Sequence, residues 1–169
     1  MTVITMDDAR RRVAAALQRA GANPAMAEST ARALVLAEAQ GLASHGLSRV
    51  AQYSGHLRCD RVNGAAQPQV VKRKGAALVV DAQEGLAFPA CDLAIAEAIR
   101  TAGEFGICIV GIVNSHHCGV VVDHLRAVTA AGMAGLGFSN SPSAMPAAGG
   151  RHPIFGTNPV AAALPGRDA

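Results

Sequence analysis

Apolar residues in the first sixty positions recur at helical spacing. In MDDARRRVAAALQRA the acidic pair Asp7 and Asp8 follows Thr5, whose side chain can cap a helix N-terminus, so a helix is predicted from Thr5 to about Ala20. The GANP turn, Gly21 to Pro24, stops it. A second helix is predicted through MAESTARALVLAEAQGL (26–42), with Glu28 near its positive end, and a third from about Gly46 to Leu57. Together they predict a helical subdomain over residues 1–60.

The pattern changes near Arg61. Ala76 to Asp81 reads as a strand followed by an AQEG turn, and Pro89 opens a helix over about Ala90 to Ala102. Gly106 to Val113 is a near-continuous β-branched run, which predicts a buried strand. A helix is predicted from about Gly119 to Ala131, closed by Gly132, then a strand over Ala134 to Ser139. A Pro/Gly-rich loop fills 142–159, and apolar character resumes at Val160 to Leu164. The fold class is therefore α/β, with a helical N-terminal subdomain followed by a partial α/β domain over 61–169. No GxGxxG stands at a strand-to-helix turn, and Gly135-Leu136-Gly137 is a bare GxG inside a strand. A Rossmann sheet is not expected. What stands at the exit of the 106–113 strand is the polar turn Asn114 to Gly119, and such carboxyl ends are where α/β proteins place chemistry.

Composition narrows the class. Hydrophobic residues are 50% of the chain and charged residues 16%, as in a folded protein with a rather apolar surface, suited to burial against a partner subunit or a further segment. The net charge of +3 comes from scattered residues and aromatics are only 3%, so nucleic-acid binding has no support. Cys59, Cys91, Cys108 and Cys118 are irregularly spaced and read as reduced thiols packed as small apolar groups. The N-terminus lacks an apolar signal region and no apolar run approaches ~18 residues. No membrane association is expected, and a cytoplasmic location is.

Three constellations could carry chemistry. Ser44, His45 and Gly46 precede Arg49 and Tyr53. If a helix begins near Gly46, Arg49 and Tyr53 share a face and Ser44 and His45 sit at the end that favours an anion. Arg49 can grip a carboxylate bidentately. A serine cap with a surface histidine and arginine is the plainer alternative. In the second, His117 can shuttle a proton, or the turn is simply a loop with polar caps. No carboxylate lies at ligand spacing, so no metal is expected there. The third is Asn140 to Pro142 with Gly149, Gly150 and Gly156 to Pro159, small and donor-rich enough for close contact with a cofactor, though such loops are common.

Taken together, GLASHGLSRVAQYSGHL (41–57), VNG (62–64), GIVNSHHCGVVVDH (111–124), AAGMAGLGFSNSPSAMPAAGG (130–150) and PIFGTNPVAAALP (153–165) resemble the malate/L-lactate dehydrogenase family, in order and spacing, over nearly the whole chain. The resemblance implies a non-Rossmann mixed-sheet fold that binds NAD or NADP, homodimers in the full-length form, and a small carboxylic acid as substrate. It implies hydride transfer at C2 of a 2-hydroxy or 2-oxo acid, with reduction of cyclic imino acids as the alternative. It assigns His117 as acid/base, His45 and Ser44 beside it, Arg49, Tyr53, Thr157 and Asn158 to the substrate, and Ser141, His45, Gly149 and Gly150 to the cofactor. Cys118 departs from the Phe that many members carry. Members are about twice as long, so the chain is expected to be a truncated copy, active or retained only as a binding or structural remnant.

Overall fold

A computed structural model describes residues 4–166. The chain divides into two compact units, Met1–Val120 and Val121–Ala169.

In the first unit α1 (Met6–Arg19) begins where the sequence predicts, with the Thr5 hydroxyl accepting from the Asp8 N–H at 3.1 Å. Helix α2 (Pro24–Ala39) starts two residues before the predicted Met26. Asn23 caps it, its Oδ1 accepting from Met26 N at 2.9 Å, and Pro24 takes the first position, where a missing N–H costs nothing. A 3-10 turn (Ala43–His45) follows, then α3 (Arg49–Arg58). The helix expected from Gly46 thus starts three residues later, and Ser44 and His45 belong to the separate turn rather than to the helix end. Leu17, Met26, Leu34, Tyr53, Leu86 and Phe88 form one core between these helices and the segment that follows.

Strands β1 (Gln69–Lys74), β2 (Ala77–Gly85) and β3 (Ile109–Ser115) form a sheet in the order β1-β2-β3. Strand β1 is antiparallel to β2, whereas β3 is parallel to it, reached through α4 (Ala87–Phe105). Val80 and Ala82 of the sheet pack with Ala90 and Ala94 of α4, flanked by Val110 and Ile112. The buried strand expected at 106–113 is instead half-covered. Ile109 is 70% exposed, because β3 is an edge strand within this unit and α4 covers one face of it. The expected AQEG turn is a bulge inside β2. Gln83 and Glu84 take φ of 54° and 59°, the register with β3 shifts between Asp81 and Gly85, and pairing then resumes.

In the second unit the single helix expected over 119–131 is two short ones, α5 (Val121–His124) and α6 (Arg126–Ala130), interrupted at Leu125. Gly132, at φ +73°, closes the segment as expected. Strand β4 (Gly135–Phe138) pairs antiparallel with β7 (Val160–Ala163), and a hairpin of β5 (Met145–Pro146) and β6 (Pro153–Phe155) occupies the expected loop. A β-carbon on Gly135 would stand 3.2 Å from Leu125, so small residues on this face let the short helices lie close. Among the described residues no helix is long and apolar enough to cross a membrane.

Candidate active site

The 3-10 turn is seated by its glycine. A β-carbon on Gly46 would overlap the Glu38 carboxylate and stand 3.0 Å from the Glu38 backbone, and Glu38 Oε2 accepts from Leu47 N at 2.8 Å. This close approach against α2 fixes Ser44 and His45 ahead of α3. The Ser44 hydroxyl lies 3.0 Å from His45 Nδ1. Arg49, first residue of α3, donates from Nε to the Ser44 carbonyl at 2.6 Å and from Nη1 to Gln52 Oε1 at 2.8 Å. Among the described residues no further partner meets its other N–H groups, which leaves them to an anion.

One turn further on, Tyr53 is almost fully buried beside Phe88, ring centroids 6.1 Å apart. Its hydroxyl reaches the turn after β3, where it lies 2.7 Å from His117 Nδ1. The Gly119 backbone N–H also points at Nδ1, at 3.2 Å. A backbone N–H can only donate, so Nδ1 carries the lone pair and the neutral ring carries its proton on Nε2. Gly119 suits this position twice over. It sits at φ +71°, and a β-carbon there would stand 3.0 Å from the Phe88 ring. His45 completes the group, its ring centroid 5.5 Å from that of His117.

The electrostatics follow from this packing. Burial pushes the Tyr53 hydroxyl well above its ordinary range, with the Arg49 charge opposing, so the phenol stays protonated and donates. His117 keeps one side open to solvent, but its Nδ1 edge is turned inward against Tyr53. That desolvation, with Arg49 and then His45 adding repulsion, lowers His117 to about 4. It is thus a neutral imidazole at pH 7, not the group poised near neutrality that its residue type suggests.

His116 faces away from His117, towards His56 at 6.5 Å between ring centroids. Burial, then Arg61 and His116, lower the His56 pKa. Among the described residues no group of three or more His, Cys, Asp or Glu could hold a metal ion. Sequence reasoning passed over Asp81, which receives Asn114 Nδ2 at 3.1 Å and Gln83 N at 2.8 Å. The non-glycine Asn114 at φ 51° was the signal to be had, and it is a backbone property that residue type only hints at.

The second unit holds the remaining candidates. The Ser141 hydroxyl accepts from Thr157 N at 2.7 Å, lies 3.1 Å from Thr157 Oγ1 and reaches the Pro142 carbonyl at 3.3 Å. Asn158, at φ 39°, accepts at Oδ1 from Ser141 N at 3.0 Å. Ser141 thus uses its hydrogen-bonding capacity within its own loop. Gly149 stands at φ +75° with nothing within 4 Å of where a β-carbon would be, an open approach to the backbone, and Gly150 donates to the Ala147 carbonyl at 2.8 Å.

Residues 4–169 match the malate/L-lactate dehydrogenase family. The chain belongs to that family. It is 43% identical over 165 residues to the (2R)-3-sulfolactate dehydrogenase (NADP(+)) of Chromohalobacter salexigens, covering 98% of this chain and 49% of that protein. The fold is mixed α/β and superposes on family structures. Against malate dehydrogenase from Pyrococcus horikoshii OT3 the TM-score is 0.90 at 30% identity, over 99% of this chain and 48% of that one. Against delta1-piperideine-2-carboxylate reductase from Pseudomonas syringae pvar. tomato it is 0.92 at 28% identity, over 100% of this chain and 51% of that one. The chain spans about half the length of these relatives.

Proposed function

We propose that this protein carries the acid/base and carboxylate-binding part of an NADP- or NAD-dependent oxidoreductase acting at C2 of small 2-hydroxy and 2-oxo acids. The observation that carries the reading is the Tyr53–His117 hydrogen bond beside Arg49 and His45. It leaves His117 with Nε2 as its working nitrogen and Arg49 with spare donors for a carboxylate. The sulfolactate dehydrogenase relative supports the acid class and NADP. Gly149, with its open backbone, fits a cofactor brought close to the chain, and Gly150 and Ser141 are proposed beside it. Thr157 and Asn158 are proposed for the substrate. A bound nicotinamide supplies or takes the hydride at C2.

The chain's own residues handle the carboxylate and the proton. Arg49 holds the substrate carboxylate, with the Ser44 hydroxyl and His45 beside it. In oxidation the neutral His117 is the base. The ring proton moves from Nε2 to Nδ1, where the Tyr53 oxygen accepts it in place of the Gly119 N–H donation, and Nε2 is then free to take the proton of the substrate hydroxyl. In reduction His117 must be protonated. The arriving carboxylate favours this, because its charge offsets the Arg49 repulsion that, after burial, lowers His117. Tyr53, protonated throughout, keeps the imidazole oriented.

A second reading, reduction of cyclic imino acids at the carbon bearing the carboxylate, is favoured by the likeness to the piperideine-2-carboxylate reductase. It uses the same Arg49 clamp, with the proton at nitrogen. A homodimer is proposed with either reading, supported by exposed apolar side chains such as Ile109 and Phe138. Titration of NADPH and NADH by nicotinamide fluorescence, followed by rates on 2-oxo acids and cyclic imines, tests the proposal. Saturable cofactor binding with turnover of 2-oxo acids is expected. Turnover of imines alone selects the second reading, and neither binding nor turnover reduces the chain to a structural remnant.

A further inference from the structure

The turn that carries His117 is built from strained backbone, and one carboxylate ties its two sides together. Between Asp81 and Gly85 strand β2 spends residues 82–84 where β3 spends Asn114 alone, before Gly85 pairs with Ser115. Both crossings run through the left-handed region, with Gln83 at φ 54°, Glu84 at 59° and Asn114 at 51°. Such values are costly for residues other than glycine and persist only when surrounding contacts hold them. Those contacts are visible. Asp81 Oδ1 accepts from Gln83 N at 2.8 Å and from Asn114 Nδ2 at 3.1 Å, so a single oxygen clamps the bulge to the strand exit. Asn63 takes up the bulge from the other side, donating from its backbone to the Glu84 carbonyl at 2.9 Å and from Nδ2 to the Gln83 carbonyl at 3.1 Å. Past the clamp, His116 N donates to the Gly85 carbonyl at 3.3 Å, and the next residue is His117.

The geometry points to Asp81 as a positioning residue for His117, acting through Asn114. The inference rests on His117 being the acid/base of the proposed reaction. Asp81 touches neither His117 nor any group proposed to touch substrate. Its carboxylate is spent on two neutral donors whose common effect is to aim the Asn114–Gly119 turn at Tyr53. Releasing Asn114 lets that turn relax towards ordinary backbone angles. His117 Nδ1 then loses its registry with the Tyr53 hydroxyl and the Gly119 N–H, and the ring loses the environment set by those donors and by Arg49 and His45.

The test is histidine side-chain ¹⁵N NMR of the whole protein across a pH titration, beside steady-state kinetics, with the His117 signal assigned by its loss in His117→Gln. Wild-type His117 is expected as the Nε2–H tautomer, titrating below an ordinary histidine. Asp81→Ala should mix the tautomers and move the titration up towards the ordinary value. Its kcat should fall about 10- to 100-fold, the scale of a small misplacement of a reacting group, with KM for the nicotinamide cofactor unchanged. Asp81→Asn keeps an acceptor oxygen at the same place and should restore both readings. Asn114→Gly tolerates φ 51° but lacks the amide, so it should shift the His117 signal in the same direction by less. A His117 signal identical to wild type in Asp81→Ala overturns the inference, as does Asp81→Asn behaving like Asp81→Ala. Should Asp81→Ala fail to fold, a wild-type signal in Asn114→Gly overturns it equally. Wild-type turnover by His117→Gln would instead sink the proposed reaction and leave the NMR answer standing.

Discussion

The Tyr53 hydroxyl and His117 Nδ1 lie 2.7 Å apart and join helix α3 to the exit of strand β3. The buried phenol is a fixed post against which a more open imidazole is held, so removing the hydroxyl alone should be informative. In Tyr53→Phe the ring still packs on Phe88, and the fold should lose about 0.5–1.5 kcal/mol, the net worth of one hydrogen bond. His117 Nδ1 keeps only the Gly119 N–H, the neutral ring loses a stabilising donor, and the His117 pKa should rise. Denaturant unfolding and histidine NMR measure the two effects. An unchanged titration would mean that the hydrogen bond does not tune His117.

Arg49 depresses the His117 pKa, second only to burial. Arg49→Gln should therefore raise that pKa while weakening the grip on a carboxylate. Kinetically, KM for the acid should rise much more than kcat falls, because a carboxylate clamp holds ground and transition states alike. Equal losses in kcat and kcat/KM with an unchanged KM would assign Arg49 to the transition state instead.

Two glycines are fixed by what surrounds them. Gly119→Ala places a side chain in the left-handed region and against Phe88, and should cost about 1–2 kcal/mol from the backbone alone. Gly46→Ala drives a methyl group into Glu38 and should push the Ser44–His45 turn off α2. Unfolding free energies check both, and a neutral result at Gly119 would contradict the turn geometry described.

The stability of the fold should fall on mild acidification. His117 and His56 both have folded pKa values below their ordinary ones. Between the ordinary histidine value and the lowered ones the unfolded chain binds more protons than the folded chain. Stability is therefore full above pH 6.5 and declines as the pH falls towards about 4, where His117 protonates in the folded state as well. His117→Gln should flatten part of this slope in unfolding curves taken between pH 7.5 and 4.5, and an equally steep slope in the variant would place the proton uptake elsewhere.

What the sequence made legible was local. Thr5 announced its helix because a capping hydroxyl has a fixed relation to the N–H groups it serves. The Asn23–Pro24 start of α2 was equally legible chemistry, read two residues late because the apolar periodicity begins only at Met26. The expected burial of β3 is met only in part, because a β-branched run says that a strand is apolar, not that both of its faces are covered. At the site, the segments around His45 and His117 were recognisable by their resemblance to a family. That Tyr53 would meet His117 depends on a tertiary contact spanning 64 residues. The lowered His117 pKa follows from burial and then from Arg49 and His45, a packing arrangement that no local pattern contains.

The most direct measurement is steady-state kinetics of His117→Ala beside wild type, with a 2-oxo acid and reduced nicotinamide cofactor, accompanied by fluorescence titration of the cofactor. In His117→Ala kcat should fall about 10²–10⁴-fold, the range for loss of a general acid/base, while the cofactor dissociation constant stays close to wild type. Wild-type turnover by His117→Ala would contradict the assignment of proton transfer to this residue and move it to His45.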